Sequence, residues 1–148
     1  MEKSPPNLIR TRFLRALFPP ARFVVITRHP IAVAYSTRKW RPDCSIEELI
    51  QHWIHCHGLF YEDVQDLAEL VHVVSYEAFV ATPNGVLGDV FRFLRIPLVE
   101  TVVEVRSGAS DKYFALWERE PESVRQRIID RLEQGVIPFG YTLRATAP

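Results

Sequence analysis

The sequence is short of the residues and segments that mark several common classes of protein. Its 148 residues include only two cysteines, Cys44 and Cys56, which are too few for a disulfide scaffold. No uninterrupted apolar run approaches the ~20 residues that a membrane-spanning helix needs. The first ten residues contain no hydrophobic stretch of the signal-peptide type. We therefore expect reduced thiols, no membrane segment and a cytoplasmic setting.

The sequence also lacks an excess of charge of either sign. Lys plus Arg and Asp plus Glu each number 18, which gives a formal net charge of zero. Bulk binding of nucleic acid requires an excess of cations, so the composition argues against that partner. A local pocket for an anion stays open, because charge can be segregated within a neutral chain. A hydrophobic fraction of 47% in 148 residues predicts one domain, residues 1–148, with its own core.

The apolar pattern predicts two strands separated by helices. The strands are Arg22–Thr27 and Leu70–Ser75, both apolar and β-branched, as is typical of parallel strands covered on two faces. Caps, prolines and helical periodicity predict five helices: Asn7 to about Leu17, Pro30 to about Trp40, a long helix opened by a Ser45–Glu48 capping box, Pro83 to about Arg95, and Pro121 to about Glu133. The stretch from Ile96 to Trp117 is predicted to be mostly loop. This order favours an α/β fold with a parallel sheet.

In open α/β sheets, ligands bind beyond the carboxyl ends of the strands. That rule selects the segments 28–36 and 75–77 as candidate sites. Arg28 follows the first strand, where the next helix presents unpaired N–H groups and the positive end of its dipole. Its guanidinium offers two parallel donors to a phosphate, and Ser36 adds a hydroxyl two turns into the helix. The alternative is that Arg28 only caps a carbonyl or pairs with a carboxylate.

Two other groups of residues are interpreted as structural. His52 and Cys56 share one face of the long predicted helix, but His55 points elsewhere and no second cluster completes a zinc site. We therefore predict no metal. The tryptophans are interpreted as core anchors: Trp40, Trp53 and Trp117.

The pattern strand-Arg28-x-Pro30-x-x-x-x-x-Ser36 resembles the 3′-phosphate motif of the PAPS-dependent sulfotransferases. Further segments resemble elements of glycosaminoglycan, tyrosylprotein and bacterial members, in the family's order along nearly the whole chain: Glu2–Pro5, Val74–Glu77, Asp111–Tyr113 with Trp117, and Phe139–Tyr141. The resemblance implies that Arg28 and Ser36 bind the 3′-phosphate of PAPS. It implies that Lys3 approaches the 5′-phosphosulfate and acts in catalysis. Glu2 is a candidate general base or a partner that orients Lys3.

The resemblance also implies outer contacts to the base and phosphate of the nucleotide, from Tyr76 and Lys112. Two positions depart from the family's pattern: Ser75 stands where relatives often carry a basic residue, and Asp111 where Asn is common. These departures concern the outer contacts and leave the pair Arg28–Ser36 intact.

The resemblance implies a P-loop-NTPase-like parallel sheet flanked by helices and truncated at its N-terminus. Family members hold the phosphosulfate with a glycine-containing loop after their first strand. None of the six glycines stands in such a context, and the family's loop lies upstream of the segment that here begins at Met1.

The implied function is transfer of a sulfuryl group from PAPS to a hydroxyl or amine of an acceptor, which is a carbohydrate, a peptide or a small molecule. No metal is required. Two alternatives stay open: a non-catalytic nucleotide-binding remnant or interaction module, and a nucleotide kinase relative, which would need a Walker A loop. A truncated sheet would expose apolar surface, so oligomers are also an expectation.

Overall fold

Two parallel strands form the sheet in this computed structural model, which describes residues 4–97, 105 and 107–144. Strand β1, Phe23–Thr27, pairs with β2, Val71–Ser75, in a register that runs from Phe23 opposite Val71 to Thr27 opposite Ser75. The two strands therefore end at the same edge. The predicted mixed α/β class with a parallel strand pair is confirmed. The expectation that β1 is covered on both faces is not met within the described residues, because Ile26 is 64% exposed.

Seven α-helices occur in the described part of the chain: α1 Thr11–Leu17, α2 Pro30–Arg38, α3 Ile46–Asp63, α4 Tyr76–Ala81, α5 Pro83–Leu94, α6 Asp111–Glu118 and α7 Glu122–Val136. Prolines occupy the first turns of α2 and α5, as predicted from their fixed φ and missing N–H. The capping box before α3 is confirmed. The Glu48 carboxylate accepts from the Ser45 backbone N–H at 2.8 Å, and the Glu48 N–H donates to Ser45 Oγ at 3.2 Å.

Three helical segments differ from the sequence prediction. A 3-10 helix, Pro5–Arg10, precedes α1, so Asn7 lies inside a helical turn and caps no helix. Helix α4 directly follows β2, where Ser75 Oγ accepts from the Ala78 N–H at 3.0 Å and caps the helix start. Helix α6 lies in a stretch predicted to be mostly loop. Its eight residues are too few to show a clear helical period.

The chain divides into two compact units. The first contains Met1–Thr27 and Cys56–Ser107, and therefore both strands. Within it Phe60 is fully buried, and Arg22 donates to the Phe93 carbonyl at 2.7 Å. The prediction of one domain over residues 1–148 stays a prediction.

The second unit contains Arg28–His55 and Gly108–Pro148, and it has its own apolar core. The large side chains buried in it come from the helices and from the segment after α7 and include the following: Ile31, Ile50, Ile128, Val136 and Leu143. Trp53 and Trp117 are buried in this core, as predicted. The same prediction is wrong for Trp40, which is 84% exposed, because α2 ends at Arg38 and Trp40 lies in the turn that follows.

No helix in the part of the chain that the structure describes is long and apolar enough to cross a membrane. Cys44 and Cys56 are both free thiols. The cytoplasmic location stays a prediction.

Candidate anion-binding site

Arg28 occupies the first position after β1 and points its guanidinium at the start of α6. Its Nε and Nη2 both donate to Ser110 Oγ, at 3.3 and 2.8 Å. The guanidinium carbon lies 5.5 Å from the centroid of the Tyr113 ring. Ser110 precedes α6, but its hydroxyl makes no cap to that helix. Two donors of Arg28 therefore share one neutral acceptor, and the fork has the geometry that a bidentate anion accepts.

The helix that follows Arg28 begins with a side-chain cap. His29 Nδ1 accepts from the Ile31 N–H at 3.2 Å, so Nε2 carries the ring proton and donates to the Thr142 carbonyl at 3.1 Å. The buried imidazole also meets the rings of Phe114 and Tyr141 edge-on, at 4.8 and 5.3 Å between centroids. These contacts fix the first turn of α2 against the second unit's core.

Ser36 lies in the second turn of α2, and its hydroxyl influences the phenol of Tyr113 on α6. Lys39, just after α2, also lies close to the Tyr113 ring. The hydrogen bond from Ser36 lowers the pKa of Tyr113 most; the hydrogen bond from Lys39 and the charges of Lys112 and Lys39 lower it further. Burial acts in the opposite direction, and the net effect is a pKa below the usual value of tyrosine.

Three cationic groups surround one aromatic ring. The Nζ atoms of Lys39 and Lys112 lie 5.3 and 5.1 Å from the centroid of the Tyr113 ring, and the Arg28 guanidinium carbon lies 5.5 Å from it. The face of the ring attracts each cation, which offsets part of their mutual repulsion. We call this set the Tyr113 cluster: Arg28, Ser36, Lys39, Lys112 and Tyr113. Its charge and its hydroxyl donors suit an anion.

A shallow groove between α2 and α6 adjoins the cluster. A cavity of about 300 Å³ is lined by Lys39, Lys112, Tyr113, Ala115, Leu116 and Arg119. Beyond it, Tyr35 donates its hydroxyl to a carboxylate oxygen of Glu120 at 3.1 Å. Burial, followed by the Glu120 charge, raises the pKa of Tyr35, so this second phenol stays neutral.

The predicted site residues fall into three groups. Arg28, Ser36 and Lys112 come together in the second unit around Tyr113. Tyr76 is the first residue of α4 and belongs to the first unit. Lys3 and Glu2 lie outside the described residues.

Two residues of the site were not predicted, Ser110 and Tyr113. Tyr113 stood in the segment that resembles a nucleotide-side loop, but no role was assigned to it. If the sequence had predicted helix α6, Ser110 and Tyr113 would have been expected on one face of it, because they are three residues apart. The missed helix therefore hid both residues.

No group of three or more His, Cys, Asp or Glu side chains suited to a metal ion occurs in residues 4–97, 105 and 107–144. The His52–His57 segment is part of α3, where His57 is buried and His52 and His55 are exposed.

The first unit is therefore a small parallel α/β unit, and the second carries a cluster of cations around the start of a helix. A family model described as the sulfotransferase family matches residues 1–100. The chain therefore belongs to the sulfotransferase family, whose members transfer sulfuryl groups. The matched region contains Arg28, Ser36 and Tyr76, whereas Lys112 and Tyr113 lie beyond it. A search of curated proteins finds no match.

Proposed function

We propose that this chain is a sulfotransferase domain of P-loop-like α/β fold that holds the 3′-phosphate of PAPS between Arg28 and Ser36. The observation that carries the proposal is the Tyr113 cluster. Within the second unit it joins the two residues of the 3′-phosphate motif to two further cations. The family match over residues 1–100 supports the same assignment.

The side chains of the cluster fit a phosphate dianion. Arg28 offers a guanidinium fork, Ser36 a hydroxyl, and Lys39 and Lys112 ammonium groups. In the structure the fork donates to the neutral Ser110 hydroxyl. A hydrogen bond to a charged acceptor is roughly twice as strong as one between neutral groups, so a phosphate would accept these two hydrogen bonds more strongly than Ser110 does.

The remaining predicted contacts belong to the other end of the nucleotide. Bound PAPS supplies the sulfuryl group. Lys3 would place its ammonium beside the bridging oxygen and stabilise the negative charge that develops there. Glu2 would take the proton of the acceptor hydroxyl or orient Lys3. Tyr76 would contact the base, and the acceptor is a carbohydrate, a peptide or a small molecule.

A second candidate is a module that binds the nucleotide without turnover. Four of the six glycines, at positions 58, 85, 88 and 135, lie inside helices. The other two, Gly108 and Gly140, have positive φ in turns next to helix ends. No glycine of this chain therefore forms a loop between a strand and a helix of the kind that cradles phosphates. Turnover of radiolabelled PAPS by this chain would exclude the binding-only alternative.

Calorimetric titration with adenosine 3′,5′-bisphosphate tests the proposal directly. Arg28→Ala should weaken binding by about 1.5–3 kcal/mol, the range for hydrogen bonds to charged groups. Arg28→Lys keeps the charge but loses the fork, so its affinity for the bisphosphate should lie between that of wild type and that of Arg28→Ala. Arg92→Ala is the matched control, because Arg92 is an exposed arginine of α5 that pairs with Asp89.

The comparison ligand is 5′-AMP, which lacks the 3′-phosphate. The wild-type chain should bind it much more weakly than the bisphosphate, and Arg28→Ala should not weaken it further. Equal affinity for the two nucleotides would contradict the proposal.

A further inference from the structure

We propose that the turn after α2, with the cations beside it, docks on an anionic lipid surface and places one tryptophan at the interface between water and lipid. We call this set the basic turn, and its members are Arg38, Lys39, Trp40, Arg41 and Arg119. Docking of this kind goes beyond the proposed function and does not depend on which nucleotide the chain binds.

Trp40 is the anchor of the basic turn. Among the large apolar side chains in the part of the chain that the structure describes, it is the most exposed, at 84%. Its indole combines a large apolar body with one N–H donor, and this combination concentrates tryptophan at interfaces between membrane and water. Insertion among lipid headgroups would remove apolar surface from water and keep the N–H near polar acceptors.

The backbone of the turn can lose water at little cost. The N–H groups of Trp40 and Arg41 both donate to the Thr37 carbonyl, at 2.9 and 3.0 Å, and the Cys44 N–H donates to the Arg41 carbonyl at 3.1 Å. Removal of a backbone N–H from water costs free energy chiefly when it has no acceptor. The tip that presents Trp40 therefore enters a less polar surrounding with these donors already satisfied.

Cations surround Trp40 in the sequence and in the fold. Arg38, Lys39 and Arg41 flank it along the chain, and all three are exposed. Arg38 and Lys39 also line a cavity of about 420 Å³, and Arg119, just after α6, lines the same cavity. The cations that follow α2 and α6 thus converge on one face of the second unit.

Two carboxylates offset part of this charge. Glu120 lies 3.8 Å from Arg38 Nη1 and accepts from the Tyr35 hydroxyl. Asp43 accepts from Nε and Nη2 of Arg41, at 3.2 and 3.0 Å. Four cations and two carboxylates leave a net charge of about +2 at the basic turn, in a chain whose formal net charge is zero. Positive charge is therefore concentrated beside the exposed indole.

An anionic bilayer uses both properties of this surface. Each lysine or arginine near such a bilayer strengthens binding about 5-fold, and stable attachment of a peripheral protein needs an apolar anchor as well as charge. A soluble acidic polymer would use the cations alone and would leave Trp40 in water. The pairing of an exposed tryptophan with a net positive charge therefore favours a lipid surface as the partner.

The test is flotation of the whole chain with vesicles, because protein aggregates sediment and do not float. Vesicles of phosphatidylcholine and phosphatidylserine should carry the chain upward, and phosphatidylcholine alone should not. Raising the salt concentration from about 0.1 M to about 1 M should release the chain, since the Debye length falls from about 10 Å to about 3 Å. Equal flotation with both kinds of vesicle, or flotation with neither, would overturn the inference.

Tryptophan fluorescence follows the same event at Trp40 itself. The other two tryptophans, Trp53 and Trp117, are already buried, so a change in emission reports mainly on Trp40. Anionic vesicles should shift the emission to shorter wavelength and reduce its quenching by acrylamide. Trp40→Ala should remove the shift and weaken vesicle binding about 10-fold. Phe18→Ala, which removes another exposed aromatic side chain, is the matched control and should bind as wild type does. An unshifted wild-type emission would overturn the inference.

Charge variants change vesicle binding in both directions. Arg41→Gln and Arg119→Gln should each weaken it about 5-fold, and Asp43→Asn should strengthen it by a similar factor because it removes a negative charge from the turn. Arg92→Gln, at an exposed position on α5, should have no effect. A gain of binding in Asp43→Asn does not arise from misfolding. Equal binding by wild type and the three turn variants would overturn the inference.

Dextran sulfate distinguishes lipid docking from general binding of polyanions. Trp40→Ala should lose vesicle binding and retain the affinity that wild type has for dextran sulfate. A wild-type chain that binds dextran sulfate and floats with no vesicle would overturn the inference. Binding of adenosine 3′,5′-bisphosphate to Trp40→Ala should equal that of wild type, so the lipid surface and the proposed nucleotide site are tested separately.

Discussion

His29 shows how one side chain can fix the beginning of a helix that carries a site. It caps α2 through Nδ1 and holds the Thr142 carbonyl, 113 positions along the chain, through Nε2. His29→Ala removes both hydrogen bonds from a buried position and should lower the free energy of unfolding by roughly 2–4 kcal/mol. Urea denaturation measures the change. His55→Ala, an exposed substitution on α3, should stay within about 0.5 kcal/mol of wild type.

His29→Asn separates the two roles of the histidine. Asparagine is a favourable N-cap, but its side chain is shorter and would not reach Thr142. Its loss of stability should therefore be smaller than that of His29→Ala by about 1 kcal/mol, the usual effect of a cap. Equal destabilisation by both substitutions would show that the cap contributes nothing.

Single residues of the site differ in how readily the sequence predicts them. Arg28 and Ser36 stand in one short motif, so their spacing along α2 is readable from the chain. Ser110 and Tyr113 are far away in sequence and reach the site only because α6 packs against α2. Contacts of this kind depend on tertiary packing, which local patterns do not encode.

At the scale of elements, Glu133 connects the end of α7 to the segment that follows it through hydrogen bonds. This buried carboxylate accepts from the Thr142 hydroxyl at 2.6 Å and from the Leu143 N–H at 2.8 Å, with Arg144 Nε at 3.9 Å. Glu133→Gln replaces one acceptor by an NH₂ group that faces a donor. The free energy of unfolding should fall by about 1–3 kcal/mol, as for a buried polar group without its partner.

Thermal or urea unfolding measures this effect. Glu118→Gln, an exposed change at the end of α6, is the control and should be nearly neutral. A Glu133→Gln variant as stable as the control would mean that the segment after α7 is held by Leu143 packing alone.

Elements with strong local signals were predicted well. The capping box at Ser45 and the prolines at the starts of α2 and α5 act through the backbone of their own turn, so the sequence alone locates those helix starts. Helix α6 was missed because its eight residues are too few to show a clear helical period. Ser110 is a residue type that often caps helices, but its hydroxyl accepts from the distant Arg28 instead.

For the whole molecule, the mixed α/β class and the family could be predicted, and the covering of the sheet could not. The apolar pattern of β1 predicts burial on both faces, yet Ile26 is exposed among the described residues. A pattern reports what a strand is suited to contact, and it does not report which part of the structure packs against it.

Self-association is the property of the whole molecule that its charge and exposed apolar surface predict. The sequence pI is about 7.0, so electrostatic repulsion between copies is weakest near neutral pH. Phe13 and Leu17, one turn apart on α1, are 60% and 55% exposed. Light scattering should therefore show a mass that grows with concentration near pH 7 and less so at pH values well above or below it.

The double variant Phe13→Ser, Leu17→Ser leaves the charge unchanged and removes the largest apolar side chains of that helix face. It should scatter less than wild type at equal concentration near neutral pH, because less apolar surface is removed from water when two copies meet. Leu59→Ser, at a less exposed position on α3, is the matched control and should associate as wild type does. If the double variant and the control scatter equally, the face of α1 takes no part in association, and the exposed side of β1 becomes the surface to test next with Ile26→Ser.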